Sequence, residues 1–274
     1  MQVREYSLPE GWYPRKTDEI NRFLSDFAAT NSKFRAAVAP HAGWYYSGRM
    51  AADAICRLDR EAETIVVLGG HLPARASPLF AMEDAVRTPL GPMPIDTELR
   101  SVLMEKLSGS SDRFADNTIE VLLPMVRFFF PNAMLLWLRL PAVIASFAAG
   151  KTIAEAAQKL GRRINVIASA DLTHYGRNFG FTPHGNGEKA LKWVKEVNDY
   201  NFIRALEAGN QNEVLKYAEI DKSSCSAGAV LGVMGFAEVS ALPKPRLLEY
   251  STSADVVGDA APDSFVGYAA LVFG

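Results

Sequence analysis

The sequence contains little cysteine, little histidine and almost no net charge. Its 274 residues include two cysteines and four histidines, so a disulfide framework is excluded and a reducing compartment is expected. Twenty-nine Lys and Arg residues stand against 31 Asp and Glu residues, a formal net charge of −2. That balance provides no broad basic surface for nucleic acid. We therefore expect a cytoplasmic protein that does not bind nucleic acid.

Long hydrophobic runs are absent as well. The apolar stretch over residues 133–149 is interrupted by Arg139 and Pro141, and a membrane span needs about 18 uninterrupted apolar residues. The opening segment MQVREYSLPEGWYP lacks the apolar core of a secretory signal, so no membrane association is expected. With 49% hydrophobic and 22% charged residues, the composition is that of a globular protein. No repeat or linker divides the chain, which predicts one domain over residues 1–274.

Strand patterns alternate with helical patterns along the chain. Short apolar or β-branched runs predict strands at 34–40, 64–70, 133–140, 164–171, 246–253 and 264–273. Apolar residues at helical spacing predict helices at 18–29, 48–58, 96–107, 117–130, 151–162, within 187–218 and at 225–242. Such alternation predicts an α/β fold with a mainly parallel central sheet and helices on both faces. The last strand is expected to pair antiparallel with a neighbour.

Three of the four histidines directly follow predicted strands. His41 comes after FRAAVAP, His71 after TIVVLGG and His174 after INVIASADLT. Because ligands of such sheets bind beyond the carboxyl ends of the strands, this placement predicts one shared site. The alternative is a separate structural role for each histidine.

Metal ligation by these histidines needs an anionic partner from elsewhere in the chain. The spacing contains no local motif such as HExxH, so separate loops would have to supply the ligands. Cys225 is predicted at the N-terminus of a helix, where the helix dipole favours a thiolate; an inert buried thiol is the alternative. Asp171 is the other anionic candidate. A carboxylate ligand favours Fe(II) oxygen chemistry, whereas a thiolate favours Zn, Cu or a softer iron site.

Further polar residues are candidates for chemistry at the same site. In SADLTHYG, a single turn can direct both Asp171 and His174 into one pocket, with His174 as a general acid or base. The alternative is that Asp171 only caps the turn. Tyr45 can line the pocket mouth, although aromatic residues after a strand more often serve packing. Glu120, inside the apolar segment TIEVLLP, is expected to face solvent or a polar pocket.

Six segments together resemble the Memo family: VAPHAGWYYSG, VVLGGH, NTIEVLLP, ASADLTHYG, CSAGAV and SFVGYAALVF. Their order matches as well, and the resemblance covers nearly the whole chain. It implies a fold similar to the catalytic subunits of class III extradiol dioxygenases. Those enzymes hold Fe(II) with two histidines and one glutamate, and another histidine acts as acid or base.

Carried onto this sequence, the resemblance implies a metal site formed by His41, His71 and Cys225. The cysteine takes the place of the carboxylate ligand of the dioxygenases. His174 falls at the acid or base position, with Asp171 beside it.

The resemblance also bears on the pocket and on function. Asn117 stands where family members commonly have a histidine, and it is expected to line the pocket with Tyr45 and Glu120. The implied activity is that of a metal-dependent, dioxygenase-like oxidoreductase using Fe, Cu or Zn. The alternative is a non-enzymatic module that binds a peptide or carries a metal. The implied partners are a small-molecule or peptide ligand and, in bacteria and archaea, a radical-SAM protein.

Overall fold

The computed structural model describes residues 1–27 and 33–274. Its strands, in chain order, are β1 (Val3–Arg4), β2 (Ala36–Ala39), β3 (Thr64–Gly69), β4 (Leu79–Phe80), β5 (Ala85–Val86), β6 (Met93–Pro94), β7 (Ser110–Ser111), β8 (Met134–Arg139), β9 (Ile164–Ser169), β10 (His174–Gly176), β11 (Arg246–Thr252) and β12 (Ser264–Phe273). Over these described residues, nine strands form one sheet in the order β10-β12-β2-β9-β3-β8-β4-β7, with β11 pairing with β12. The other three strands form a small sheet in the order β1-β5-β6.

The centre of the large sheet is parallel and its margins are mixed. Strands β2, β9, β3 and β8 are mutually parallel neighbours. They are almost wholly buried, as their continuous apolar sequences predict for strands covered on both faces. The last strand, β12, pairs antiparallel with β2, β10 and β11, which confirms that expectation. The α/β class and the parallel centre are likewise confirmed, within a mixed sheet.

Helices form at every segment where the sequence predicts one, although their ends differ. They are α1 (Thr17–Leu24), α2 (Arg49–Cys56), α3 (Thr97–Lys106), α4 (Asn117–Glu120), α5 (Leu123–Phe129), α6 (Ala145–Lys159), α7 (Glu188–Trp193), α8 (Asp199–Ala208), α9 (Gln211–Ile220) and α10 (Ala227–Val239). One further short helix, α11 (Ser253–Val257), was not predicted. Residues 28 and 29 of the first predicted helix lie outside the described residues. Pro124 occupies the first turn of α5, where its missing N–H is tolerated, so the predicted helix 117–130 is divided in two.

Two hydrophobic cores cover opposite faces of the sheet. Alternate residues of β3 belong to different cores: Val66 and Leu68 to one, Ile65 and Val67 to the other. Helices α3, α6, α8, α9 and α10 contribute to the first core, and α1, α2, α4 and α5 contribute to the second. Helices therefore flank both faces, as predicted.

The helices α6 and α10 approach each other unusually closely. A Cβ added at Gly150 of α6 would lie 1.9 Å from the backbone oxygen of Gly232 in α10. Only glycine permits that separation, which explains the small residues of both helices.

None of the helices formed by the described residues is both long enough and apolar enough to cross a bilayer.

Candidate metal centre

His41 is fixed by the parallel pairing of β2 and β9. Ala39 and Ser169 are register partners at the ends of these strands, so His41 and Asp171 each follow by two residues. The backbone N–H of His41 donates to Asp171 Oδ1 at 2.7 Å, and its Nδ1 lies 3.0 Å from Ser169 Oγ. With Nδ1 engaged, Nε2 remains available and lies 3.3 Å from Cys225 Sγ. The imidazole itself is buried, with a relative exposure of 1%.

His71 follows the neighbouring strand β3 in a left-handed backbone conformation, with φ of 57°. Arg139 of β8 holds this turn by donating from Nε to the carbonyl of Gly70 at 2.9 Å. The His71 Nδ1 lies 3.1 Å from Asp116 Oδ2, and Arg139 Nη2 pairs with the same carboxylate oxygen at 3.2 Å. Such a conformation is costly for a non-glycine residue, and these contacts stabilise it. They leave the Nε2 of His71 available for a ligand.

Cys225 joins the two histidines from the loop that precedes α10. It is half-buried and lies one residue before Ser226, the N-cap of α10, so it precedes the helix rather than starting it as predicted. Its backbone N–H donates to the carbonyl of Asp171 at 3.3 Å, which ties the cysteine to the loop after β9.

Ligand atoms of His41, His71 and Cys225 all lie within 4.8 Å of one another. The two imidazole rings meet edge to face, with centroids 5.2 Å apart. Two ligands each about 2.0–2.3 Å from an ion lie at most about 4.6 Å apart. Small side-chain movements would therefore bring all three atoms to metal-binding distance. The structure thus shows a His-His-Cys group that could hold a metal ion.

The charges within this group favour a thiolate. Burial raises the pKa of Cys225, but the imidazoles of His41, His174 and His71 lower it more, so that the pKa falls well below its ordinary value. Burial lowers the pKa of His71, whereas Asp116 and Cys225 raise it to about 10. These directions favour the thiolate form of Cys225, and a metal ion would displace the proton from each ligating imidazole.

Asp171 and His174 border this group. The Oδ2 of Asp171 lies 3.8 Å from His41 Nε2 and 4.0 Å from His174 Nε2. His174 lies on β10 opposite Val266 of β12, so an antiparallel strand, and not one turn, aims its ring. Burial lowers the pKa of His174, but Cys225 and Asp171 raise it above its ordinary value. Its Nε2 is buried and, among the described residues, has no hydrogen-bond partner.

A cavity of about 390 Å³ adjoins this group and contains four of the predicted site residues. Asp171, His174, Tyr45 and Asn117 all line it. Tyr45 is 71% exposed, so it does not serve core packing. Asn117 donates from Nδ2 to the carbonyl of His41 at 3.3 Å, which helps to position the loop that carries this histidine.

Glu120 has a different role from the one expected. Its carboxylate accepts from the backbone N–H groups of Ser7 at 2.8 Å and Leu8 at 3.1 Å, and from the hydroxyl of Tyr13 at 2.8 Å. It is buried and is not among the described residues that line the cavity. Glu120 therefore anchors the N-terminal segment. Its position inside the apolar segment TIEVLLP gave no indication of these contacts with Ser7, Leu8 and Tyr13.

Three residues that hold the ligands in place were not predicted: Asp116, Arg139 and Ser169. Arg139 carried a signal, because a charged residue inside the apolar strand MLLWLRL needs a buried partner. Arg139 has two such partners, because it forms ion pairs with Asp112 at 3.4 Å and with Asp116 at 3.2 Å. Asp116 contacts His71, and Ser169 contacts His41. Both partners are distant in the sequence, so no local sequence pattern indicates these roles.

Comparison with known proteins decides the family. The model of the family described as "Memo-like protein" matches residues 4–272. The chain belongs to this Memo-like family. A MEMO1 family protein of Pyrococcus abyssi is 30% identical over 289 residues, covering 98% of this chain and 99% of the relative. A MEMO1 family protein of Desulfurococcus amylolyticus is 31% identical, covering 99% and 92%.

A solved structure supports the fold of this Memo-like chain. The crystal structure of an uncharacterized protein from Escherichia coli K12 superimposes with a TM-score of 0.58. It covers 88% of this chain and the whole of that one, at 15% identity. The likeness at that identity concerns the fold alone.

Proposed function

We propose that this Memo-like protein binds one metal ion through His41, His71 and Cys225 and acts as a dioxygenase-like oxidoreductase. The observation that carries the proposal is the convergence of the three ligands. Both histidines have Nδ1 engaged, by Ser169 Oγ and Asp116 Oδ2, which leaves Nε2 for a metal. Ligating histidines typically use their second nitrogen in this way.

The donor set fits a soft or borderline metal. Two imidazoles and a thiolate suit Zn, Cu or a softer iron site, and three protein ligands leave a position open for another molecule. When bound, the ion supplies a Lewis acid and, for iron or copper, a redox centre. Cysteine at the third position departs from the two-histidine, one-carboxylate set of the dioxygenases, so the reaction need not be ring cleavage.

His174 is proposed to hold and move a proton at Nε2. Support comes from two observations: His174 lines the cavity, and its Nε2 is buried with no hydrogen-bond partner among the described residues. Such a nitrogen gains a partner when a ligand enters. Asp171, 4.0 Å away at Oδ2, stabilises the protonated imidazole and at the same time fixes the backbone of His41.

Metal content tests the binding proposal. The untagged protein, His41→Ala and His71→Ala are analysed for bound metal, with His184→Ala as the control. His184 stacks on Trp193 with ring centroids 4.1 Å apart and contributes no ligand to the group. We expect stoichiometric metal in the wild type and in His184→Ala, and loss in the other two. Unchanged metal content in both site variants would overturn the proposal.

Oxygen consumption with catechol-type and thiol substrates tests the catalytic proposal. His174→Gln is expected to keep the metal and to lose turnover. Tight metal binding without turnover in the wild type would favour the second candidate, a metal carrier. The specific observation behind that candidate is the thiolate ligand together with the 31% exposure of the His71 side chain, which eases metal transfer. Association with a radical-SAM protein stays a prediction.

A further inference from the structure

The walls of the cavity beside the metal-ligand group have an unusual composition. Besides His174 and Asn117, they include one exposed carboxylate, Glu10, and one buried carboxylate, Asp171. No Lys or Arg is among the described residues that line the cavity. An anionic end group placed there would therefore meet two carboxylates and, apart from His174, no cationic side chain of the described residues.

Four aromatic side chains complete these walls: Trp12, Tyr45, Tyr46 and Tyr268. Tyr45 and Tyr46 meet edge to face, with centroids 5.0 Å apart and planes at 88°, so together they present two perpendicular walls. They are 71% and 43% exposed, which leaves their rings accessible. We call these four residues the aromatic wall.

The rings of the aromatic wall have no Lys or Arg of the described residues over them. Arg15, for example, lies over the rings of Tyr6 and Tyr13 at 4.4 Å and 4.1 Å. Among the described residues, no Lys or Arg is placed in this way over a ring of the aromatic wall. Accessible aromatic faces next to carboxylates are the recognition chemistry of organic cations.

We propose that this cavity takes a small ligand with an ammonium end, which contacts the aromatic wall and Glu10. The other end of the ligand then lies toward His174 and the metal-ligand group. A volume of about 390 Å³ accommodates a small molecule. The inference rests on the proposed function only for the orientation of the second end.

Four probes of similar size test the inference on the full-length protein at neutral pH, both without metal and after addition of Zn²⁺. Three of the probes share a catechol ring and differ in the charge of the tail: it is cationic in dopamine, neutral in 4-ethylcatechol and anionic in 3,4-dihydroxyphenylacetate. Phenethylamine has the cationic tail without the catechol hydroxyls. Zinc is used because it does not oxidise the ring, and affinities are measured by isothermal titration calorimetry. We expect dopamine to bind at least about three times more tightly than 4-ethylcatechol, and about tenfold more tightly than the anion.

Substitutions locate the preference in the cavity. Tyr45→Leu is expected to lower dopamine affinity about threefold or more and to leave that of 4-ethylcatechol within twofold, whereas Tyr45→Phe, which keeps the ring, retains dopamine affinity. Glu10→Gln should lower dopamine affinity about two- to fivefold, as expected for an exposed charge.

The outcomes separate this inference from the proposed function. Equal or tighter binding of the neutral or anionic catechol would overturn the ammonium preference, as would no binding of either amine. If phenethylamine binds as tightly as dopamine, the ammonium preference stands, whereas the proposed placement of the other end toward His174 and the metal-ligand group fails.

Discussion

Asp116 sets the metal affinity of His71 in the proposed site. Its Oδ2 lies 3.1 Å from His71 Nδ1, so it accepts the N–H of a neutral imidazole that binds a metal through Nε2, and it fixes the orientation of the ring. Removing a carboxylate that orients a ligating histidine typically costs 10–100-fold in metal affinity. We therefore expect Asp116→Asn to weaken Zn²⁺ binding by about that factor, or ~1.4–2.7 kcal/mol.

The Zn²⁺ affinity of the wild type and of Asp116→Asn is measured by calorimetric titration in competition with a chelator. Asparagine is as good an N-cap as aspartate, so α4 should keep its start in the variant. Asp112→Asn is the matched control, because Asp112 pairs with the same Arg139 at 3.4 Å and accepts from Trp137 Nε1 at 2.9 Å. The control should lose stability while its Zn²⁺ affinity changes far less than tenfold. A folded Asp116→Asn variant with wild-type affinity would refute the reasoning.

Three other predictions concern the thiol, the core and the acid limit of stability. Iodoacetamide should label Cys225 in the metal-free protein but not after Zn²⁺ loading; equal labelling would count against ligation. Gly150→Ala should lower the free energy of unfolding in urea by about 1–3 kcal/mol, because its Cβ meets the Gly232 oxygen; wild-type stability would contradict that contact. Burial raises the pKa of Asp255, but Lys195 lowers it below the ordinary value, so its stabilisation is present above about pH 4 and lost as the pH falls through the lowered pKa. The melting temperature of Asp255→Asn should fall less steeply there than that of the wild type; parallel profiles would exclude this contribution.

The central strands could be predicted because their sequences are unambiguous. Residues 64–69 and 164–169 are continuous apolar or β-branched runs, and both become buried parallel strands. The edge strand β7 and its neighbour β4 have two residues each, which is too short for any periodicity. Their pairing depends on neighbouring strands, so the margin formed by β4 and β7 could not be predicted, whereas the antiparallel pairing of β12 at the other margin was.

The ligand group could be predicted in part for the same reason. His41 and His71 follow parallel strands, whose carboxyl ends necessarily meet at one edge. The contacts of Glu120 could not be predicted, because the N-terminal segment that it binds is more than 100 residues away. The contact between His71 and Asp116 joins loops 45 residues apart, and no local pattern marks it.

X-ray absorption spectroscopy of the Zn²⁺-loaded protein tests the central claim most directly. The account predicts one sulfur at about 2.3 Å and two imidazole nitrogens at about 2.0–2.1 Å from the metal, with the sulfur lost in Cys225→Ser. A coordination shell without sulfur in the wild type, or a sulfur signal that persists in Cys225→Ser, would contradict a site built from His41, His71 and Cys225.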